Sequence, residues 1–218
     1  MKGAAEVTER LMRETPHYDG PVLLLAAILG IGLLLGWGLG GRLRNLGAVG
    51  IRLWPLALVG LVLQLVPVPE LEGSLGDLVP VGILLLSYAV LLFFVALNWR
   101  LRGFLLIGFG LLLNAVVIGV NQGMPVSASA AHQSGQAEAI PRLASGVDPK
   151  HHLADEESAL LPLADVIPVG SPFNIVVSVG DVVSYVGAGV FVTTAMLGRV
   201  DRRLRRPGRR ARTSGIPR

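Results

Sequence analysis

The stretch VPVGILLLSYAVLLFFVAL, residues 79–97, runs for nineteen positions without a charged side chain. A hydrocarbon core about 30 Å thick needs roughly 20 helical residues to cross it, so this run predicts a membrane span. Lipid satisfies no backbone N–H or C=O, which leaves helices or closed barrels, and the run lacks the strict alternation of a barrel strand. Four further apolar runs flank it: Pro21–Gly41, Leu53–Val66, Phe104–Val120 and Val179–Leu197. The second is the shortest. Pro55 and Pro80 fall near expected helix starts, where a missing donor costs little, and Pro67 and Pro69 follow an expected end. A chain that is 52% apolar and 16% charged, with mean hydropathy +0.62, fits this reading and not a water-facing sphere.

The expectation is therefore an all-α, polytopic membrane bundle of five helices with a long extracytoplasmic segment between the fourth and fifth. It divides into an N-terminal tail (1–20), a membrane domain (21–197) that includes the 121–177 outer segment, and an Arg-rich tail (198–218). Five spans put Arg42, Arg44, Arg52, Arg100, Arg102 and the nine tail arginines on one side, fourteen basic residues in all. The other side receives Lys2, Arg10, Arg13, Arg142 and Lys150. The positive-inside rule then places the N-terminus outside and the C-terminus in the cytoplasm. Trp37, Trp54 and Trp99 all fall at the expected cytoplasmic ends, where indoles concentrate. Acids precede the first run, which is long for a signal-peptide core, so no cleaved leader is expected. Seventeen arginines against two lysines point to a GC-rich bacterial genome, hence a bacterial plasma membrane.

No cysteine is present, which excludes disulfides and thiol chemistry. Gly32, Gly36 and Gly40 form a small-xxx-small stripe, read first as packing within the chain and second as a homo-oligomer contact. The match of Gly36, Gly38 and Gly41 to a dinucleotide fingerprint ends an apolar helix instead of joining strand to helix, so no cofactor is expected from it. In the tail, Arg202, Arg203, Arg205, Arg206, Arg209 and Arg210 are placed to meet anionic lipid. No aromatic residue accompanies them, so nucleic acid is not an expected partner.

The 121–178 connection is far longer than an ordinary loop and is the expected working part. Residues 127–148, rich in Ala, Ser, Gly and Gln, read as mobile, whereas 149–177 interleaves apolar residues and prolines and should pack on the bundle. Its motifs Asn121-Gln-Gly-Met-Pro-Val-Ser127, His151-His-Leu, Leu163-Ala-Asp-Val-Ile-Pro168 and Ser178-Val-Gly-Asp181 resemble bacterial membrane proteins of domain of unknown function 5317. The resemblance spans about residues 21–197; Ala164 stands where the family often has glycine, and the loop between Ser127 and His151 is long. It implies an integral membrane protein and supplies no catalytic residue.

Among single positions, Asn114 and Asn121 lie two turns apart on one helix face. They read first as interhelical hydrogen-bond groups and second as the lining of a polar cavity. Ser178 and Asp181 have capping-box spacing, so Asp181 reads as a helix cap before an intramembrane carboxylate. If Asp148 and Pro149 start a short helix, His151 with Asp155, or His152 with Glu156, would share a face; Glu157 follows. That is a weak metal-ligand pattern against the blander reading of a solvated helix. Asp165, set among apolar neighbours, reads as a buried anchor. Two functions follow: a non-enzymatic envelope-assembly component or small lipid or solute carrier with a folded outer loop, or a membrane-embedded enzyme acting on a lipid-linked substrate. The enzyme would draw its base from His151 or His152, oriented by Asp165 or Asp181. Expected partners are the bilayer, anionic lipid at the tail, and a second copy or another membrane protein.

Overall fold

The computed structural model describes residues 19–65, 74–145, 148 and 150–200. The N-terminal tail, Pro67, Pro69 and the six tail arginines read as lipid contacts lie outside the described residues.

The chain is mostly helical. Helix α1 covers Asp19–Gly38, α2 Pro55–Leu65, α3 Ser74–Leu97, α4 Phe104–Asn121 and, after the long connection, α7 Val179–Met196. Among the described residues, four segments are long and apolar enough to cross a membrane: Gly20–Gly38, Leu78–Leu97, Phe104–Asn121 and Val179–Met196. The run expected as the second span forms only the eleven-residue α2. Pro80 lies inside α3, which begins at Ser74, earlier than the apolar run suggested.

The helices pack in the order α2, α3, α4, α7, α1, so the last helix is inserted between the first and the fourth. Small residues make that insertion possible. Gly103 and Gly110 meet Gly187 and Gly180, the same seven-residue spacing on two antiparallel elements. A Cβ on Gly110 would collide with the Gly180 carbonyl and lie 2.9 Å from Ser184 N, and one on Gly187 would lie 2.8 Å from the Gly103 carbonyl. Only bare backbone lets α4 and α7 approach this closely. On the other side of α7, Gly32 faces Val192 and Gly36 faces Met196, so two residues of the α1 stripe are used within the chain. Gly40 lies beyond the helix with nothing near it.

Two distinct ends result. At one, Arg42 N donates to Met196 O, Asn98 bonds both the N–H and the carbonyl of Arg52, and Arg102 N donates to Val200 O. Trp37, Trp54 and Trp99 sit exposed at this end. The other end is covered by residues 122–178, the capping segment. Exposed leucines, valines and phenylalanines such as Leu34, Val62, Leu86 and Phe109 cover the helix flanks between the ends, the surface a bilayer would contact.

Residues 128–144 of the capping segment form successive helical turns where composition suggested mobility. Ser127 caps α5 (Ala128–Gln133) by accepting from Ala130 N, and the alanines that follow are good helix formers. A short 3-10 turn and α6 (Ile140–Ala144) follow. Strands β1 (Met124–Val126) and β2 (His151–Leu153) pair in parallel, and β3 (Ile167–Val169) with β4 (Ile175–Val177) in antiparallel. The segment is held to the bundle by a buried cluster that joins Val81 and Leu84 of α3, Val117 and Ile118 of α4, Met124 of β1, and Ala164.

Candidate functional site

The capped end gathers almost every candidate residue. Asn114, 2% exposed, is placed by α4 opposite the first turn of α7. Its Oδ1 accepts from Ser178 Oγ at 2.9 Å and its Nδ2 donates to Asp181 Oδ1 at 2.7 Å. The Ser178–Asp181 pair forms a capping box: Asp181 N donates to Ser178 Oγ at 2.9 Å, and Ser178 N donates to Asp181 Oδ2 at 3.0 Å. Both carboxylate oxygens are thus provided with donors near the positive end of a helix. The Tyr88 side chain of α3 reaches the Asn114 amide, and Tyr185, one turn below Asp181 on α7, lies in the field of the same carboxylate.

Asn121 has a different task. Its Nδ2 donates to Val117 O at 2.8 Å and Ala159 O at 3.0 Å, while its Oδ1 accepts from Ala159 N at 2.7 Å. One side chain closes both backbone groups of a capping-segment residue onto the end of α4.

Asp165 is held by its backbone. It bridges to Val126, Ser127 N donates to its carbonyl at 2.9 Å, and its own N donates to Pro125 O at 3.1 Å. Its side chain is 9% exposed, and Oδ1 is buried without a hydrogen-bond partner. Burial, with a smaller push from Asp181 and against the pull of His151, raises this carboxyl to about 7.

The metal-ligand pattern is corrected by the backbone. Residues 151–153 form strand β2, paired with β1, so the helical faces expected to bring His151 to Asp155 and His152 to Glu156 do not exist. Strand alternation sends the two histidines to opposite faces. His151 Nδ1 lies 3.4 Å from Asp148 Oδ2. Burial would lower this imidazole, but the Asp148 hydrogen bond and the charges of Asp165 and Asp148 outweigh it, so it is raised. With 43% of its side chain exposed, the pairing governs. Asp148 is drawn down to about 2: burial opposes this, but His151 and the backbone N–H groups of Lys150 and His151 prevail. His152 packs on Gly123 and is lowered by burial. Asp155 turns back on Ser158 Oγ and Glu157 N, bonds that hold its carboxyl below the usual range. Glu156 and Glu157 are exposed. Among the described residues no three His, Asp or Glu side chains converge as metal ligands would.

Beside this polar cluster runs an apolar groove of about 620 Å³ between α1 and α7. Ile28, Ile31 and Leu35 form one wall, Val182, Val186 and Val190 the other, and Gly32 and Gly189 widen the floor. Ile167 and Val169 of β3 and Val177 of β4 roof it. Of its polar residues, Thr193 turns its hydroxyl to Gly32 O and Thr194 to Val190 O, and Tyr185 of α7 completes the lining. A second apolar depression of about 550 Å³, between α3 and α4 beside Trp99, has no lining from the capping segment. Tyr88, Tyr185 and the groove were not singled out from sequence; tyrosines inside otherwise apolar spans were the available signal.

A model of a family of unknown function, DUF5317, matches residues 48–193. An uncharacterised protein of Thermotoga maritima is 32% identical over 173 residues, covering 78% of this chain and 87% of the relative. No solved structure matches.

Proposed function

The chain belongs to the DUF5317 family, whose function is unknown, and from its geometry we propose a non-enzymatic membrane protein that binds a single lipid acyl chain in the α1–α7 groove. The roof carries this reading: the β3–β4 hairpin closes one end of an apolar groove otherwise open along the helices. The groove's volume falls within the roughly 300–1,000 Å³ of ligand sites. A void lined by apolar atoms at hydrocarbon depth forfeits dispersion contacts unless a chain fills it. Tyr185, a lining residue one turn from Asp181 at the capped end of α7, would meet the chain's headgroup end.

The bundle spans the bilayer five times in this reading, with the tryptophan end cytoplasmic and the capping segment outside a bacterial plasma membrane. Arg42, Arg44, Arg52, Arg100, Arg102 and Arg199 all belong to the tryptophan end, as the positive-inside rule requires. Helix α2 starts beside Asn98 at that end, and the Lys150 ammonium of the capping segment reaches its Gln64 carbonyl, which supports a short fifth span completed by local thinning or snorkelling. The enzyme alternative gains less support. His151 is engaged by Asp148 and both oxygens of Asp181 are taken by its cap and Asn114.

Native mass spectrometry of protein released from nanodiscs tests the proposal. Wild type should retain one phospholipid mass. Gly189→Leu should lose it while remaining folded, because a Cβ there has only Ile28 as a neighbour, at 3.8 Å, and a larger side chain grows into the groove. Equal retention by both proteins would refute the site.

A further inference from the structure

We propose that Asp165 is a proton-binding site, and that the proton held there keeps the capping segment closed on the bundle. The inference stands on the polar cluster and does not depend on what occupies the groove.

The geometry leaves this carboxyl little choice. Its backbone is fixed on both sides by the bonds to Ser127 and Pro125, so the side chain cannot leave without breaking the β1 contact. Ala164 beside it in the chain and Val126, to which it bridges, are themselves buried. His151 and Asp181 are the charged groups that act on it. Helix α3 presents Tyr88 and α7 presents Tyr185 and Asp181. Strand β2 presents His151, already bonded to Asp148, and Lys150 beyond it has its ammonium on Gln64 O; β1 presents only Met124, Pro125 and Val126.

Two carboxyls thus share one buried region with unequal provision. Asp181 has donors on both oxygens, and Asp165 Oδ1 has none. When two such groups interact, the one without donors takes the proton. An ionised Asp165 would keep a buried oxygen without a donor, and with His151 already paired to Asp148 that charge is best relieved by moving the segment outward to water. Burial that raises the carboxyl to about 7 sets the direction. The closed form binds the proton more tightly than the open form, so closure is favoured at acidic pH and weakens as pH rises from the ordinary carboxylate range through about 7. Ile167, two residues on, belongs to the groove roof, so opening here also unroofs the groove.

The test uses the full chain in nanodiscs. Hydrogen exchange at Ser127 and Asp165, corrected for intrinsic rates, should show about tenfold more protection near pH 5 than near pH 9. Asp165→Asn, which stays neutral, should keep the acidic-pH protection at both values. Infrared difference spectra should show a carboxylic acid C=O band that disappears on alkalinisation and is missing in Asp165→Asn. Should that variant not fold, Asp181→Asn carries the test: removing the second carboxylate should let Asp165 ionise at lower pH, so the loss of protection should begin at lower pH than in wild type. An unchanged pH dependence in Asp165→Asn would assign the effect to His151 and overturn the proposal, as would a wild-type protein without the carboxylic acid band.

Discussion

Replacing Asn114 with Ala should loosen the α4–α7 seam by more than an average membrane hydrogen bond. The side chain makes two bonds at once: it accepts from Ser178 Oγ at 2.9 Å and donates to Asp181 Oδ1 at 2.7 Å. Interhelical hydrogen bonds in bilayers average about 0.6 kcal/mol, with a maximum near 1.7. A bond to a charged acceptor contributes roughly 1.5–3 kcal/mol, and a buried donor left alone costs about 1–3. Ser178 is fully buried and would lose its acceptor, while Asp181 would keep only its cap. The expected loss is about 2–4 kcal/mol. Reversible unfolding in mixed micelles measures it, and a double-mutant cycle with Asp181→Ala should give a coupling of at least about 1 kcal/mol. A loss below about 0.5 kcal/mol, or no coupling, would refute the claim that this amide joins the two helices.

Three further outcomes follow from the same contacts. Gly110→Leu should prevent native α4–α7 packing, since its Cβ meets backbone of α7, whereas Gly38→Ala, with nothing within 4 Å, should change the unfolding midpoint little; comparable midpoints for the two variants would sink the close-packing account. Asn121→Ala should remove both bonds to Ala159 and raise exchange around residues 159–165 without altering helix content, as hydrogen exchange and circular dichroism would show. The Asp148–His151 contact should be whole between pH 3.8, the unperturbed Asp value, and 6.5, the unperturbed His value. The Asp148 contribution is lost only as pH falls through about 2. The His151 contribution is lost as pH rises through its raised value. Proteolysis of the 148–153 region should accelerate at alkaline pH in wild type and be fast at both pH values in His151→Ala; a wild type insensitive to pH would contradict the pairing.

The spans were legible because hydrocarbon thickness imposes a length on apolar runs, and four of them come within a few residues of the observed helices. Leu53–Val66 was less legible: an apolar run of that length fixes neither where its helix stops nor how the bilayer adapts to it. The Ser178–Asp181 spacing could be read because a capping box is local in sequence. The misread segment is 148–156, where a Pro at a helix-start position and i, i+4 polar pairs suggested a helix; pairing of His151–Leu153 with Met124–Val126, a contact between distant residues, overrides that local preference. The Ala-rich 128–133 stretch looked mobile by composition, yet the Ser127 cap and the burial of Ala130 and Ala131 make it a helix. Asp165 was visible as an odd acid among apolar residues, but its missing donor is a property of the folded neighbourhood.

Photo-crosslinking with a phospholipid that carries a diazirine on its acyl chain tests the groove most directly, using the full chain in nanodiscs and peptide mapping of the adducts. The account predicts adducts concentrated on Ile28, Ile31, Leu35, Val186 and Val190, and their dispersal in Gly189→Leu. Adducts spread evenly over the exposed Leu58, Val62, Leu86 and Phe109 would mean that lipid merely coats the helices, and would contradict the binding site.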